Sequence, residues 1–229
     1  MPAPAVPVTD LDDPRVAPFR ALGERELRTH GDAEARGWFM CEGKFVFERL
    51  LESRFRTLAV LVETQRLAEL APLLERLPAD TPVYAVSREL HQRISGAHFH
   101  QGLLALGEAG PAPLWETCVA DADRVVVLEG LVNHDNLGAV FRNVAALCGP
   151  RGAVLLDPRS VDPLYRKSIR VSLGWVLHVP FARMSDWPAG LARLGAAGFR
   201  TIALTPSGGA VDIARAAAMR YPKVALLVG

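Results

Sequence analysis

Asn136, Gly138 and Arg142 lie close together in the run Val132-Asn-His-Asp-Asn-Leu-Gly-Ala-Val-Phe-Arg142, just after the apolar segment Arg124-Val-Val-Val-Leu128. A carboxamide brings both a donor and an acceptor, a glycine lets backbone pass close to a ligand, and a guanidinium is a planar cationic fork suited to phosphate. Together they have the chemistry to hold a nucleotide's backbone. Each residue also has a purely structural reading: Asn133 or Asp135 as a helix N-cap, Gly138 as a tight turn, Arg142 as a solvated side chain. Spacing alone leans to the structural readings.

Other chemistries leave no trace. The sequence has no G-x-x-x-x-G-K-[ST] phosphate loop, no G-x-G-x-x-G after a strand and no G-x-S-x-G elbow. Gly208-Gly209 reads as a flexible turn after Thr205-Pro206. His98 and His100 flank Phe99 with no carboxylate or cysteine at ligand spacing, so no metal is expected. Cys41, Cys118 and Cys148 are odd in number and far apart, which suggests neither a disulfide framework nor a zinc site and fits a reducing cytoplasm. Residues 1–14, opening Met1-Pro-Ala-Pro-Ala-Val-Pro7, read as a disordered lead-in, and no apolar run approaches the roughly 20 residues of a membrane span.

The elements that must position these side chains follow from apolar spacing. Strands are expected at Gly37–Gly43, Thr57–Val62, Pro82–Ser87 and Gly102–Leu106, with helices around Phe45–Leu51, Leu67–Leu77 and Arg88–Ile94, and a short amphipathic helix from Pro14 to Arg28. Glu108 to Asp121, with Gly110-Pro-Ala-Pro113, breaks this alternation and reads as a linker. Beyond it come strands at Arg124–Leu128, Ala153–Leu156, Trp175–Val179, Thr201–Leu204 and Val224–Val228. Helices fall between them around Leu137–Cys148, Leu164–Ser172 and Trp187–Gly195. The first of these carries Leu137, Val140, Phe141, Val144 and Cys148 on one stripe, which leaves Arg142 off the core face. Strand, helix, strand repeats imply a parallel sheet that binds ligands beyond the strands' carboxyl ends.

Half of the 229 residues are hydrophobic, ample for packed cores, and the formal net charge of +1 is too small for coating nucleic acid by electrostatics alone. Arginines gather at Arg15, Arg20, Arg25 and Arg28 and again at Arg49, Arg54 and Arg56, but Glu24, Glu26 and Glu48 interleave with them. A solvated helix face explains that pattern as well as a phosphate track does.

In family order these strings resemble the SpoU/TrmH family of SPOUT RNA methyltransferases. Asn136-Leu-Gly-Ala-Val-Phe-Arg142 has the form of its first motif, N-x-G-x-x-x-R, and Lys167-Ser-Ile-Arg-Val-Ser-Leu-Gly174 is similar to its R-x-S-x-G segment. Leu204-Thr-Pro206 stands where the family lines its cofactor site, while Phe39-Met-Cys-Glu-Gly43 and His100-Gln-Gly102 match the substrate-binding domain commonly fused in front. The resemblance covers roughly Phe19 to Gly229. It implies an α/β fold: a small α/β sandwich RNA-binding domain over residues 15–107, a linker over 108–121, and a parallel-sheet SPOUT (α/β knot) domain over 122–229. Leu226-Leu-Val-Gly229 offers only the opening of the family's second motif. The acidic glycine-rich loop and S-L-N segment that thread the knot, enclose the cofactor and supply much of the dimer contact do not follow, so the knot is expected to be incomplete in this chain.

The resemblance implies transfer of a methyl group from S-adenosylmethionine to a ribose 2′-hydroxyl of rRNA or tRNA, by a homodimer that uses neither metal nor membrane. Arg142 would bind the phosphate beside the target ribose; the family view of it as the base meets the objection that a guanidinium, with a pKa above about 12, keeps its proton. Asn136 would orient Arg142 or the ribose, with Arg170 and Ser172 on the RNA side. Leu204, Thr205, Pro206 and Gly229 would line the cofactor, and Arg28, His30, Arg36 and Arg54 are the first domain's candidate RNA contacts. A non-catalytic RNA-binding protein without a complete methyl-donor pocket is the alternative.

Overall fold

A computed structural model describes residues 4–20, 37–96 and 101–229. The chain divides into two compact units, Met1–Pro111 with Pro163–His178, and Ala112–Asp162 with Val179–Gly229.

In the first unit the strands are β1 (Val6–Pro7), β2 (Trp38–Glu42), β3 (Arg56–Glu63), β4 (Val83–Val86) and β5 (Leu103–Glu108), with helices α1 (Lys44–Leu51), α2 (Leu67–Leu74) and α3 (Arg88–Ser95) between them. They form one sheet in the order β1-β4-β3-β5-β2. β4 runs parallel to β1 and β3, and β5 antiparallel to β3 and β2. Val60, Leu61 and Val62 are all fully buried, as suits a central strand covered on both faces. On one face Leu61, Met40, Leu104 and Ile94 pack with Val8, Val16 and Phe19.

Two expectations change here. Residues 1–14 are not simply a disordered lead-in: Val6 and Pro7 pair with Tyr84 and Ala85, and Val8 is 3% exposed in the core. Burial of an N-terminal apolar residue against a sheet edge is enough to order so short a strand. Of the expected Pro14–Arg28 helix, the described part is a single 3-10 turn, Ala17–Phe19, with Pro18 inside it. Residues 21–36, including Arg28, His30 and Arg36, and residues 97–100, including His98 and His100, lie outside the described residues.

His91 on α3 is fully buried, and neither ring nitrogen has a hydrogen-bond partner; Nδ1 stands 3.9 Å from Glu63 Oε1. Burial first, then the charges of Arg166 and Arg66, hold its pKa down from 6.5 to about 4. The unfolded chain therefore binds a proton that the folded one refuses. Stability contributed by neutral His91 is present above pH 6.5 and is lost as pH falls toward 4. Denaturant unfolding is expected to show about 2 kcal/mol less stability at pH 5 than at pH 7 from this group. His91→Phe should flatten that slope, and an unchanged slope would count against the assignment.

The second unit opens with α4 (Trp115–Cys118), inside the stretch expected to be a linker; Trp115 is 4% exposed and anchors it in the core. There follow β6 (Arg124–Leu128), α5 (His134–Cys148) and β7 (Gly152–Leu156). The chain then enters α6 (Arg166–Val171) and a 3-10 turn at Trp175–Leu177, which group with the first unit rather than with the 122–229 domain expected from sequence. It returns through β8 (Phe181–Arg183), α7 (Gly190–Ala196), β9 (Arg200–Ala203), α8 (Ile213–Ala218) and β10 (Val224–Val228). The expected strand Trp175–Val179 is thus replaced by a 3-10 turn, and the strand lies just beyond it. Leu173 and Gly174, at φ 54° and 80°, turn the chain before Trp175 and leave no extended run there.

The five strands of this unit form a fully parallel sheet, β8-β7-β6-β10-β9. Leu128 pairs with both Leu156 and Val228, so the carboxyl ends of the three central strands lie level. Val125, Val127, Ala153, Leu155 and Ala225 form one buried face with Trp115, Leu194 and Phe199. The order runs β8-β7-β6 and then β10-β9, so β6 and β10, the first and last strands of the unit, lie side by side, and open parallel sheets bind ligands beyond the carboxyl ends of such strands.

Candidate functional site

The site is built on the connection from β6 to α5. Gly130 turns the chain out of β6 at φ 62°. A side chain there would have to adopt a left-handed backbone beside the Arg159 guanidinium, 3.7 Å from the position of its Cβ. Asn133 then caps α5, its Oδ1 accepting from the backbone of Asp135 at 2.8 Å and of Asn136 at 3.1 Å. Asp135 adds a negative charge to the helix's first turn. The capping reading of Asn133 therefore holds. Leu137, Phe141 and Val144 face the core, and Phe141 meets Phe181 edge to face at 5.6 Å.

Asn136 and Arg142 are both exposed on this helix. Six residues separate them, about 9 Å along the axis and roughly 120° around it, so they do not share a face. Side chains on a helix tilt toward its N-terminus, so Arg142 leans back toward the strands' carboxyl edge. Among the described residues Arg142 makes no hydrogen bond, ion pair or ring contact, and the Asn136 carboxamide makes no hydrogen bond. Both leave their full bonding capacity to solvent or a ligand.

Beyond β9, Leu204, Thr205 and Pro206 line a cavity of about 380 Å³ together with Ile202, Val211 and Ile213. α8 below it is capped by Asp212, whose Oδ1 accepts from Ala214 N at 2.9 Å. Gly229 closes β10 against the end of β6: Glu129 N donates to Val228 O at 2.8 Å, and a Cβ on Gly229 would lie 3.3 Å from Glu129 O.

Between these features lies a polar network that the sequence did not announce. Asp157, at the end of β7, is fully buried, and its carboxylate accepts from Ser160 N at 2.8 Å, Ser160 Oγ at 2.6 Å and Arg159 Nε at 3.0 Å. Burial acts to raise its pKa, but the hydrogen bonds from Ser160, Gly130 and Arg159 outweigh it and carry the value down to about 2. Ser160 Oγ also accepts from Leu131 N at 3.1 Å, and Arg183 donates to the carbonyls of both Asp157 and Ser160 at 2.8 Å. Arg159 reaches on to Glu129 Oε1 at 3.3 Å. The only signal in the sequence is an aspartate at a strand end with a serine three residues on, which reads as an ordinary turn.

Within the first unit the other candidates separate. Arg170 is 49% exposed, with Nη1 4.0 Å from Glu42 Oε2, and Arg166 Nε stands 3.3 Å from the same oxygen. Burial raises the Glu42 pKa, and the two arginines act against it. Arg54 is exposed, with its guanidinium 4.7 Å from the Phe55 ring centre. Ser172 corrects the expectation of an RNA contact. It is fully buried, donating to Ile169 O at 2.9 Å and accepting from Val176 N at 3.3 Å, so its hydroxyl ends α6 instead of facing a ligand. Gly43 sits at φ 83°, which favours glycine, and a Cβ there would displace the Gln101 carboxamide. Among the described residues no group of three His, Cys, Asp or Glu is placed to hold a metal, and no helix is long and apolar enough to cross a membrane.

A parallel sheet with a free guanidinium and carboxamide on its first crossover helix belongs to a recognisable class. The model of the SpoU rRNA Methylase family matches residues 123–229. An uncharacterized tRNA/rRNA methyltransferase from Mycobacterium tuberculosis (strain CDC 1551 / Oshkosh) is 41% identical over 223 residues, covering 97% of this chain and 76% of that protein. Among solved structures, an AdoMet-bound rRNA methyltransferase from Sinorhizobium meliloti has the same fold, with a TM-score of 0.76 at 22% identity over 98% of this chain and 81% of that one. An RNA 2′-O ribose methyltransferase gives a TM-score of 0.69 at 25% identity, over 98% and 81%. The chain belongs to the SpoU family of tRNA/rRNA methyltransferases.

Proposed function

We propose that this chain transfers a methyl group from S-adenosylmethionine to a ribose 2′-hydroxyl of ribosomal or transfer RNA. The observation that supports it most is Arg142, an exposed guanidinium with no partner among the described residues, on the helix that leaves the sheet's carboxyl edge. Such a cation binds a backbone phosphate through two parallel hydrogen bonds and so fixes the neighbouring ribose. Asn136, a turn and a half nearer the edge, has a free donor and acceptor for the ribose hydroxyls. Holding the hydroxyl in line supplies much of the barrier reduction in a displacement of this kind.

The methyl donor fits the cavity beside Leu204, Thr205 and Pro206. At about 380 Å³ it has the size of a small-molecule site, and its apolar wall of Ile202, Val211 and Ile213 suits a purine ring. Gly229 admits close approach at the end of β10. These residues would hold the donor, which when bound supplies an electrophilic sulfonium methyl. Arg54 and Arg170 are the described cations assigned to RNA in the first unit. The assembly assigned to the chain is a homodimer, as the family resemblance implies.

The test is methyl transfer by the full chain from a labelled donor to ribosomal and transfer RNA, followed by alkaline hydrolysis. Label in alkali-resistant dinucleotides is the expected result, because only a blocked 2′-hydroxyl protects the adjoining phosphodiester. Label in free base-methylated nucleotides overturns the 2′-O assignment. No transfer, combined with donor binding weaker than about 10 μM (about −7 kcal/mol), leaves the non-catalytic RNA-binding reading.

A further inference from the structure

The Asp157 network binds two loops that are distant in sequence. β6 and β7 are joined by α5, so the turn at Glu129–Leu131 and the turn at Asp157–Ser160 lie at opposite ends of that crossover. The Asp157 carboxylate joins them through Ser160 Oγ, which donates to it at 2.6 Å and takes the Leu131 N–H at 3.1 Å. Val161 N closes the bridge by donating to Leu131 O at 2.9 Å. Only Asn133, the cap of α5, and Val132 separate this clamp from the helix that carries Asn136 and Arg142.

The chemistry of the clamp requires a carboxylate. The three groups bonded to the Asp157 carboxylate, Ser160 N, Ser160 Oγ and Arg159 Nε, are all donors, and an ionised carboxylate only accepts. An asparagine would aim an NH2 at one side of the same ring of donors. Arg183, donating to the Asp157 and Ser160 carbonyls, locks the turn from β8. A buried carboxylate held by three donors is rigid, because a displacement leaves a donor without its partner. Nothing here touches a ligand directly.

We propose that Asp157 is a positioning residue for methyl transfer, clamping the β6 exit turn through Ser160 to Leu131 and thereby fixing where α5 begins and where Asn136 and Arg142 stand. The inference rests on the reading of the chain as a 2′-O-methyltransferase. A misplacement on the order of 1 Å at a reacting centre costs up to about 100-fold in rate, whereas phosphate binding by a long arginine tolerates it. The clamp is therefore read in kcat and not in KM.

The experiment compares the wild-type chain with Asp157→Asn, Ser160→Ala and Ser160→Thr, measuring kcat and KM for RNA alongside amide hydrogen exchange at Leu131. The expected result is a kcat lower by about 10- to 100-fold in Asp157→Asn and Ser160→Ala with KM within about threefold. Exchange at that amide should be faster, and Ser160→Thr, which keeps the hydroxyl, should restore both readouts. Wild-type kcat in Asp157→Asn with accelerated exchange overturns the positioning role, and unchanged exchange overturns the clamp itself. Parallel losses in kcat and KM that Ser160→Thr does not rescue also overturn it, as general loosening of the unit. Should Asp157→Asn fail to fold, the two Ser160 variants carry the same comparison. Failure of the underlying reading is distinct: the wild-type chain then transfers no methyl to a 2′-hydroxyl.

Discussion

Arg142→Ala is expected to lower the rate of methyl transfer by about 10²- to 10³-fold while leaving the thermal midpoint unchanged within error. The two halves of that result have separate causes. The side chain is exposed and makes no hydrogen bond, ion pair or ring contact among the described residues, so its removal deletes no polar interaction that holds the fold. In the proposed complex it holds the phosphate next to the reacting ribose, and the loss is felt as the in-line geometry relaxes. Arg142→Lys should recover only part of the rate, since an ammonium lacks the two parallel donors. RNA binding by Arg142→Ala should also show a salt dependence shallower by about one phosphate contact. An alanine variant as active as wild type would remove this arginine, and the site built around it, from the mechanism.

Phe141→Ala, one position away, is expected to do the reverse, costing about 3–5 kcal/mol of stability through a mechanism unrelated to chemistry. Phe141 is fully buried and stands edge to face with Phe181, tying α5 to β8. Truncation removes the ring contact and leaves a cavity that neighbouring strands cannot fill. Urea unfolding checks the figure, and a loss below about 1 kcal/mol would mean that the helix is held elsewhere. Adjacent residues with opposite phenotypes are what a helix with one buried and one exposed face should produce.

Much of this was legible in apolar spacing. Arg124–Leu128 and Val224–Val228 form strands with the bounds read from sequence, because short continuous Val/Leu runs mark the interior strands of a parallel sheet. The stripe on α5 placed Leu137, Phe141 and Val144 inside and Arg142 outside. What escaped was short or long-range. β1 is two residues and α4 four, too few for any period to register. Trp175-Val-Leu-His-Val179 is apolar enough for a strand, and periodicity cannot separate that from a buried turn. Ser172 matched a pattern of residue types, which says nothing of which way a hydroxyl points. The partnership of Asp157 and Ser160 with Leu131 joins two loops across an entire helix, and only folding brings them together.

The grouping of Pro163–His178 with the first unit has a practical corollary. Arg49 lies 3.6 Å from the Trp175 ring centre, bonds to Leu173 O at 2.8 Å and offers its own carbonyl to His178 Nε2 at 2.9 Å. The polypeptide thus passes from one unit to the other three times, and no single cleavage releases either piece whole. Expressing residues 112–229 alone would leave Trp175 and His178 stripped of Arg49. Swapping in a front module from a relative would need Arg49, Leu173, Trp175 and His178 transplanted as a set.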